Sequence, residues 1–415
     1  MLTPLFIACL LGDLGIRFWL ARRQIRHVQA HRDTVPAAFA DHIALRSHQR
    51  AADYTVARCQ LSLVERIIEA AILLALTLMG GLQQLDLALG RLIDTELWRQ
   101  LALVGCVLAL LGSVGMAFTA WRTFRLEARF GFNRMTPRLF ISDALKMLAV
   151  TLVLGTPLLA AILWLMDSAG PAWAWWAWGV WVGFNLLTLW LYPSFIAPLF
   201  NRFTPLDDPD LSQRIHRLAQ RCRFSLEGLF VMDGSRRSAH GNAYFTGFGR
   251  HRRIVFFDTL LARLGPDEVE AVLAHELGHF AHRHILRRIV ISFVTAGLFL
   301  QLLAWISGQL WFYTDLGVIP QLGRPNDGLA LVLFMLTLPV FTFWAAPIAS
   351  LLSRRDEFQA DRYAVRQCGA EPLVSALVKL YDDNAATLTP DPLHSAWYDS
   401  HPPAVVRIAH LRQHA

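Results

Sequence analysis

The chain has 415 residues, of which 54% are hydrophobic and only 17% are charged, with a net charge of +7. Soluble domains carry roughly 25% charged residues, so this composition excludes an ordinary soluble protein, and the apolar content excludes a disordered chain. The five cysteines lie scattered, without the spacing of a disulfide framework. The arginines flank apolar segments, where they orient membrane proteins, and no motif points to a nucleic-acid or nucleotide partner. The predicted class is a polytopic membrane protein.

Seven apolar segments are long enough to cross a membrane as helices, which takes about 20 residues. The predicted spans are Leu2–Leu20, Ile67–Leu85, Leu101–Trp121, Leu145–Met166, Trp173–Tyr192, Ile289–Leu310 and Leu329–Leu351. The first also contains Asp13 and Arg17, and a cleaved signal peptide is its alternative interpretation. The positive residues of a signal peptide precede its apolar run, whereas here Arg22, Arg23 and Arg26 follow it. We therefore predict a first span with its N-terminus outside.

The loops between the predicted spans alternate in their arginine content. Those after the first and third spans are rich in arginine, whereas those after the second and fourth carry two and none. Cytoplasmic loops attract basic residues, so the N-terminus is expected outside and the C-terminus in the cytoplasm. Lysine occurs only at Lys146 and Lys379, a bias towards arginine that hints at a GC-rich bacterial genome. The bacterial inner membrane is thus favoured over the endoplasmic reticulum.

A polar segment follows the fifth span and is predicted to fold on the cytoplasmic side. A helix is expected over Asp210–Cys222, because its apolar residues recur on one face. Short β-like runs separated by glycines follow at Gly228–Met232, Ala243–Phe248 and Arg253–Phe257. A second helix is expected to begin near Pro266, where acidic residues in the first turn suit the helix dipole.

This second helix contains a His-Glu-x-x-His motif, His275-Glu276-Leu277-Gly278-His279. Two histidines four residues apart lie on one helix face, about 6 Å apart along the axis, so both can bind one tetrahedral zinc ion. Glu276 flanks that face, where it can take a proton from an attacking water. The alternative is a chance match on an amphipathic helix.

A catalytic zinc needs a third protein ligand, and the candidate is Glu357, which lies one helical turn before Asp361. One carboxylate could bind metal while the other holds a ligand histidine through its second ring nitrogen. The alternative is a solvated charged face whose acids pair with the arginines at 354, 355 and 362. Two predicted spans separate His279 from Glu357, so the chain returns to the same side of the membrane, as a shared metal requires.

Further motifs extend this pattern along essentially the whole chain. They are His31–Pro36, His48–Thr55, Arg129–Asn133, Ile196–Asn201, Ser238–Phe245 and His401–Pro403 with Arg407. Together with the zinc motif, they resemble those of the type I CAAX prenyl proteases, which are seven-span membrane zinc metallopeptidases of the gluzincin group.

The resemblance implies how the metal site is built. His275, His279 and Glu357 would bind one zinc ion per chain, and Glu276 would activate the water that attacks the peptide carbonyl. Asp361 is similar to an aspartate that is sometimes assigned as a proton donor. We favour an orienting role, because a carboxylate one turn from a ligand is well placed to fix an imidazole.

The resemblance also implies a substrate site. His401 and Arg407 would stabilise the tetrahedral intermediate, since cationic donors near the developing oxyanion serve such catalysis; for His401 the alternative is a capped turn before the last helix. Asn242, Ala243 and Tyr244 would form an edge strand that pairs with the substrate backbone. An ordinary hairpin strand is the alternative there.

The implied fold is mainly α: seven transmembrane helices around a chamber, with a small α+β gluzincin-type protease domain on the cytoplasmic side. Residues 1–192 would hold spans one to five with two basic cytoplasmic loops, and residues 193–288 the cytoplasmic metalloprotease segment with the zinc helix. Residues 289–352 would hold spans six and seven. Residues 353–415 would form a cytoplasmic segment with the third ligand and the C-terminal helices.

The implied partners are the lipid bilayer and a peptide or protein substrate, for which a prenylated C-terminus is the first candidate. A bacterial host would lack prenylated proteins, so quality control of membrane proteins is the alternative role. The shorter heat-shock membrane metallopeptidases lack the first cytoplasmic loop, and site-two-type proteases place the acidic ligand inside a span. A transporter or inactive scaffold is the alternative from another class, and the intact Glu276 argues against an inactive one.

Overall fold

The computed structural model describes residues 1–246, 253–321 and 323–414, and these residues are mostly helical. The helices are α1 (Leu2–Ala30), α2 (Leu45–Leu76), α3 (Gly81–Leu92), α4 (Glu96–Trp121), α5 (Pro137–Ser168), α6 (Trp173–Leu191), α7 (Ala197–Phe200), α8 (Pro209–Arg221), α9 (Asp258–Leu261), α10 (Pro266–Ala281), α11 (His284–Ser307), α12 (Leu310–Thr314), α13 (Asp327–Thr342), α14 (Ala346–Cys368), α15 (Glu371–Asp383), α16 (Pro392–Tyr398) and α17 (Ala404–Gln413). The strands are β1 (Phe203–Pro205), β2 (Gly228–Met232), β3 (Ala243–Thr246) and β4 (Arg253–Phe257).

Six continuous helical segments in the described ranges are long and apolar enough to cross a membrane. They are Leu2–Ala30, Glu96–Glu127, Pro137–Ser168, Gly170–Phe200, His284–Ser307 and Asp327–Cys368. Six of the seven predicted spans coincide with these segments, wholly or for most of their length. The second, Ile67–Leu85, does not lie in one helix, because α2 ends at Leu76 and α3 begins at Gly81. Gly80 between them has a φ of +77°, a left-handed conformation that glycine adopts at little cost. The count of seven spans stays a prediction.

The four strands form one small sheet with the order β1-β2-β4-β3. β2 and β4 pair in parallel, and the other two pairs are antiparallel. β2 and β4 have the predicted bounds, whereas the third predicted strand is described only to Thr246, since its residues 247 and 248 lie outside the described residues. Within the described residues β3 pairs with β4 alone, so its other side is an edge of the sheet.

The sheet and the surrounding helices share one apolar core. The amphipathic helix predicted over Asp210–Cys222 is α8, and its apolar face is buried through Leu211, Ile215, Leu218 and Ala219. β4 contributes Ile254 and Phe256, and further buried residues come from α10, α15 and α17. Burial of each large side chain is worth about 1.5–3 kcal/mol, so this core holds α10 in place beneath the sheet. A second buried cluster joins α1, α4 and α13 in the apolar part of the chain.

Helix α10 packs closely against α14, and a glycine makes that contact possible. A Cβ atom at Gly278 would lie 2.9 Å from the Cα atom and 3.1 Å from the carbonyl oxygen of Ala360. A residue without a Cβ atom at position 278 allows this approach, since van der Waals contacts between heavy atoms need about 3.5–4.0 Å. The close packing brings the two histidines of α10 beside the carboxylates of α14.

Candidate active site

The three predicted metal ligands converge where α10 meets α14. Each of His275, His279 and Glu357 offers one ligand atom, and these atoms lie within 4.8 Å of one another. The two carboxylate oxygens of Glu357 lie 3.4 Å from Nε2 of His275 and 3.3 Å from Nε2 of His279. Glu357 is 3% exposed, and its Oε2 has no hydrogen-bond partner although it is buried. Two imidazole nitrogens and one carboxylate fit a catalytic zinc ion, which takes three protein ligands and keeps a fourth position open.

The burial of the two carboxylates excludes a solvated charged face. Asp361, one turn after Glu357, is fully buried. Arg354, a candidate partner for these acids, donates instead to the carbonyl oxygens of Ser395 and Asp399 at 3.1 and 2.9 Å. The carboxylates of α14 therefore face the protein interior and the two histidines of α10.

Asp361 fixes the first histidine and is itself held by an arginine. Its Oδ1 lies 2.9 Å from Nδ1 of His275, which leaves Nε2 of that ring facing Glu357. Arg407 donates from Nε to Oδ2 at 2.8 Å and from Nη2 to Oδ1 at 2.7 Å. Burial and Arg407 lower the pKa of His275, but Asp361 and Glu357 outweigh them and raise it. Both oxygens of Asp361 are thus engaged, which favours the orienting role over proton donation.

Arg407 lies in the site but is bound to Asp361 through two of its nitrogens. Burial lowers the pKa of this guanidinium, and the neighbouring carboxylates of Asp361 and Glu357 outweigh that effect and raise it. Its Nη2 lies 3.8 Å from Oε2 of Glu357. His401 lies on the outer side of the same ligand, with Nε2 3.5 Å from Oε2 of Glu357 and a side chain that is 59% exposed. His401 is therefore the more accessible of the two predicted oxyanion donors.

A cleft of about 260 Å³ joins the predicted catalytic and substrate-binding residues. Its lining includes Asn242, Ala243, His275, Glu276, His401 and Arg407. Tyr244 lines a separate cavity of about 240 Å³ together with Phe203 and Phe230. Successive side chains of a strand point to opposite faces, so Ala243 contacts the cleft and Tyr244 does not. Tyr244 can reach a peptide in the cleft only through its backbone.

Larger cavities continue from the cleft towards the apolar part of the chain. His401 and Tyr381 line both the cleft and a cavity of about 830 Å³. Glu65 and Arg66 of α2 line that cavity and a further one of about 360 Å³. Asp13, a polar residue of the first predicted span, faces the latter. These cavities lie in the position expected for a chamber between the helices.

Comparison with known proteins identifies the family. Residues 24–202 match the family model of the CAAX prenyl protease N-terminal region, described as five membrane helices, and residues 205–415 match that of peptidase family M48. The chain belongs to peptidase family M48. It is 38% identical over 323 residues to a CAAX prenyl protease 1 homolog of Arabidopsis thaliana, an alignment that covers 76% of this chain and 74% of the relative. It is 35% identical to CAAX prenyl protease 1 of Saccharomyces cerevisiae over 322 residues, which are 74% of this chain and 71% of the relative.

The crystal structure of Ste24p from S. mikatae has the same fold. It superposes with a TM-score of 0.90 at 30% sequence identity and covers 98% of each chain. The family resemblance and the membrane-protein class predicted from the sequence are confirmed. This M48 protein is an integral, multi-pass membrane metalloprotease that cleaves peptide bonds.

Three of the further motifs of this M48 protein meet beside β3, through Tyr54, Phe132 and His240. The ring of His240 stacks on Phe132 at a centroid distance of 4.7 Å, and its Nδ1 lies 2.9 Å from Oδ1 of Asn384. Its Nε2 lies 3.6 Å from Glu127, which also accepts a hydrogen bond from the Tyr54 hydroxyl. The motifs His48–Thr55 and Arg129–Asn133 thus support the segment that leads into the strand beside the cleft.

Two residues next to the metal site were not predicted from the sequence. Nδ1 of His279 lies 3.0 Å from Nδ1 of His284, and Nε2 of His284 lies 2.8 Å from Oε1 of Gln359. The available signal was another histidine five residues after the second ligand. It was missed because that spacing does not place His284 on the ligand face of a continuous helix.

Proposed function

We propose that the metal of this protease is one zinc ion per chain, held by His275, His279 and Glu357. The observation that carries the proposal is the convergence of their ligand atoms within 4.8 Å, with a buried carboxylate oxygen left without a hydrogen-bond partner. An orphaned buried carboxylate oxygen is costly, and a cation at this position would satisfy it. The nitrogen and oxygen donor set suits zinc.

The residues around this site have separate roles in peptide hydrolysis. When bound, the metal supplies Lewis-acid chemistry, which polarises a carbonyl and makes water more acidic. Glu276 takes a proton from the attacking water and passes it to the leaving amine. His401 donates a hydrogen bond to the developing oxyanion, and Arg407 acts mainly through Asp361, which orients His275.

The substrate backbone pairs with the free edge of β3, in the manner of β-augmentation. Asn242 and Ala243 line the cleft, and the backbone of Tyr244 continues the same edge. Hydrogen bonds between main chains depend little on the side chains of the peptide, so this surface accepts varied sequences. The edge position of β3 in the described sheet supports the assignment.

We infer that the substrate class is a protein with a prenylated C-terminus, from which the last three residues are removed. The support is the name of the relatives, which are CAAX prenyl proteases, and alignments that cover 76% and 74% of this chain. The test is cleavage of a farnesylated peptide and its unfarnesylated twin by detergent-purified protein, with Glu276→Gln as the control. Faster cleavage of the farnesylated peptide is expected, and equal rates would favour a quality-control protease without prenyl specificity.

We further propose that the N-terminus lies outside and that the active site and C-terminus lie in the cytoplasm. The alternation of arginine-rich and arginine-poor loops supports this orientation, as it supports the division at residues 192, 288 and 352. The relatives named above are eukaryotic, so placement in a bacterial inner membrane depends on the arginine bias alone. Accessibility of single cysteines introduced in the loops to a membrane-impermeant thiol reagent would test the orientation, and labelling of residues 31–44, between α1 and α2, from outside would refute it.

A further inference from the structure

The second zinc ligand is buried against a histidine that none of the roles above uses. His284 is the first residue of α11 and is 1% exposed. Arg283 before it has a φ of +56°, a left-handed conformation that separates α10 from α11. This conformation is unfavourable for a residue with a Cβ atom. It turns the chain so that the His284 ring returns to the ring of His279, with centroids 5.2 Å apart.

With a metal ion bound at Nε2 of His279, the hydrogen bonds around His284 allow a single arrangement of protons. Nε2 of His279 faces Glu357 and the metal position, so its Nδ1 carries the hydrogen. Nδ1 of His284, 3.0 Å away, must then be the acceptor. The other nitrogen of a neutral imidazole is a donor, and Nε2–H of His284 points to the amide oxygen of Gln359 at 2.8 Å. The hydrogen bonds therefore run from His279 to His284 to Gln359, and both ring nitrogens of His284 are engaged.

We propose that His284 is a positioning residue for the metal site, which holds the ring of His279 by accepting its Nδ1–H and is itself fixed by Gln359. The inference rests on the proposed zinc site. A metal-ligating histidine almost always donates its second N–H to such a partner, usually a carboxylate, carbonyl or water. The two histidine ligands of this protein are held differently: His275 by the charged pair of Asp361 and Arg407, and His279 by a neutral imidazole.

The hydrogen bonds from His279 through His284 to Gln359, which we call the positioning chain, also connect the metal site to the predicted membrane helices. His284 begins α11, the helix of the sixth predicted span, and Gln359 belongs to α14. The same two helices are joined by Asp356, which is buried and pairs with Arg287 and, at 3.5 Å, with Arg288. A change in the packing of α11 against α14 would therefore act on His279 directly.

The test compares zinc affinities of purified variants by competition with a fluorescent chelator. His284→Leu keeps the bulk of the side chain and removes the acceptor, whereas His284→Asn places an amide oxygen near the position of Nδ1. His284→Leu is expected to weaken zinc binding by about 10–100-fold, and His284→Asn to restore most of the loss. His282→Leu is the matched control: it is exposed, stacks on His284 at 5.5 Å and lies outside the positioning chain. Its affinity should equal that of the wild type.

Two results would overturn the proposal: wild-type affinity in His284→Leu, or equal losses in His284→Leu and His284→Asn, which would show that packing alone matters. If His284→Leu does not fold, Gln359→Leu replaces it, since it leaves the backbone and His284 intact and removes the last acceptor. Gln359→Leu should weaken zinc binding measurably but by less than tenfold, and unchanged affinity would overturn the proposal that His284, fixed by Gln359, positions His279. Absence of zinc from the wild type would instead refute the proposed function.

Discussion

The close contact between α10 and α14 at Gly278 leads to a strong prediction about the metal site. In Gly278→Ala the new methyl group would lie 2.9 Å from the Cα atom of Ala360 and 3.1 Å from its carbonyl oxygen. Ordinary contact needs about 3.5 Å or more, so α10 and α14 must separate by roughly 0.6 Å. Both contacts are to backbone, so no side-chain rotation can relieve them. The ligands of the metal come from these two helices, and metal–ligand distances tolerate only about 0.2 Å.

The expected cost follows from that mismatch. Overpacking of this kind costs about 1–3 kcal/mol, and without metal the helices can relax apart, whereas zinc requires them close together. Zinc affinity should therefore fall by about 5–150-fold, with a matching loss of peptidase activity at low zinc. Chelator competition measures the zinc affinity, and peptide cleavage at low zinc measures the activity. Gly112→Ala is the control, because a Cβ there has no atom within 4 Å. Wild-type zinc affinity in Gly278→Ala would refute the role of this contact.

Three further predictions test the surroundings of the site. Arg407→Leu leaves the buried Asp361 unpaired and should cost about 3–5 kcal/mol of unfolding free energy, measured by denaturation in detergent; an unchanged midpoint would contradict the pairing. Burial raises the pKa of Glu268, but hydrogen bonds from Lys379 and other groups outweigh burial and lower this pKa in the folded protein. The ionised carboxylate therefore stabilises the fold at pH values above the ordinary pKa of glutamate, and this stabilisation is lost as the pH falls through the lower pKa of the folded state. Glu268→Gln should thus be less stable than the wild type at pH 7, with a difference that shrinks below about pH 4.3; a constant difference would contradict the assignment. Asn242→Ala should raise KM or lower kcat of peptide cleavage without changing the unfolding midpoint, and unchanged kinetics would remove Asn242 from the substrate site.

Strong local patterns made most of the fold predictable. The bounds of β2 and β4 and the start of α10 follow from alternation, glycines and an acidic first turn, and the structure has them there. The second predicted span is the exception. Its hydropathy is continuous, but the helix breaks before Gly81, where a Cβ would lie 2.5 Å from the carbonyl oxygen of Ala75. Hydropathy does not register such a break, because it averages over side chains and carries no information on backbone conformation.

The site was predictable where a helix repeat relates its residues and unpredictable where a break intervenes. His275 and His279, and Glu357 and Asp361, are pairs at four-residue spacing, and each pair lies on one face. His284 comes into contact with His279 only because Arg283 is left-handed, and an arginine in that conformation has no clear sequence signal. The pairing of Arg407 with Asp361 is likewise a tertiary contact between α17 and α14.

Metal analysis of three purified proteins tests the central claim most directly. The wild type and Glu276→Gln should each contain one zinc ion per chain, because Glu276 is not a ligand, and Glu276→Gln should have no peptidase activity. Glu357→Ala should contain none, since it loses the carboxylate that faces both histidines. Equal zinc content in all three proteins would contradict the assignment of the metal site.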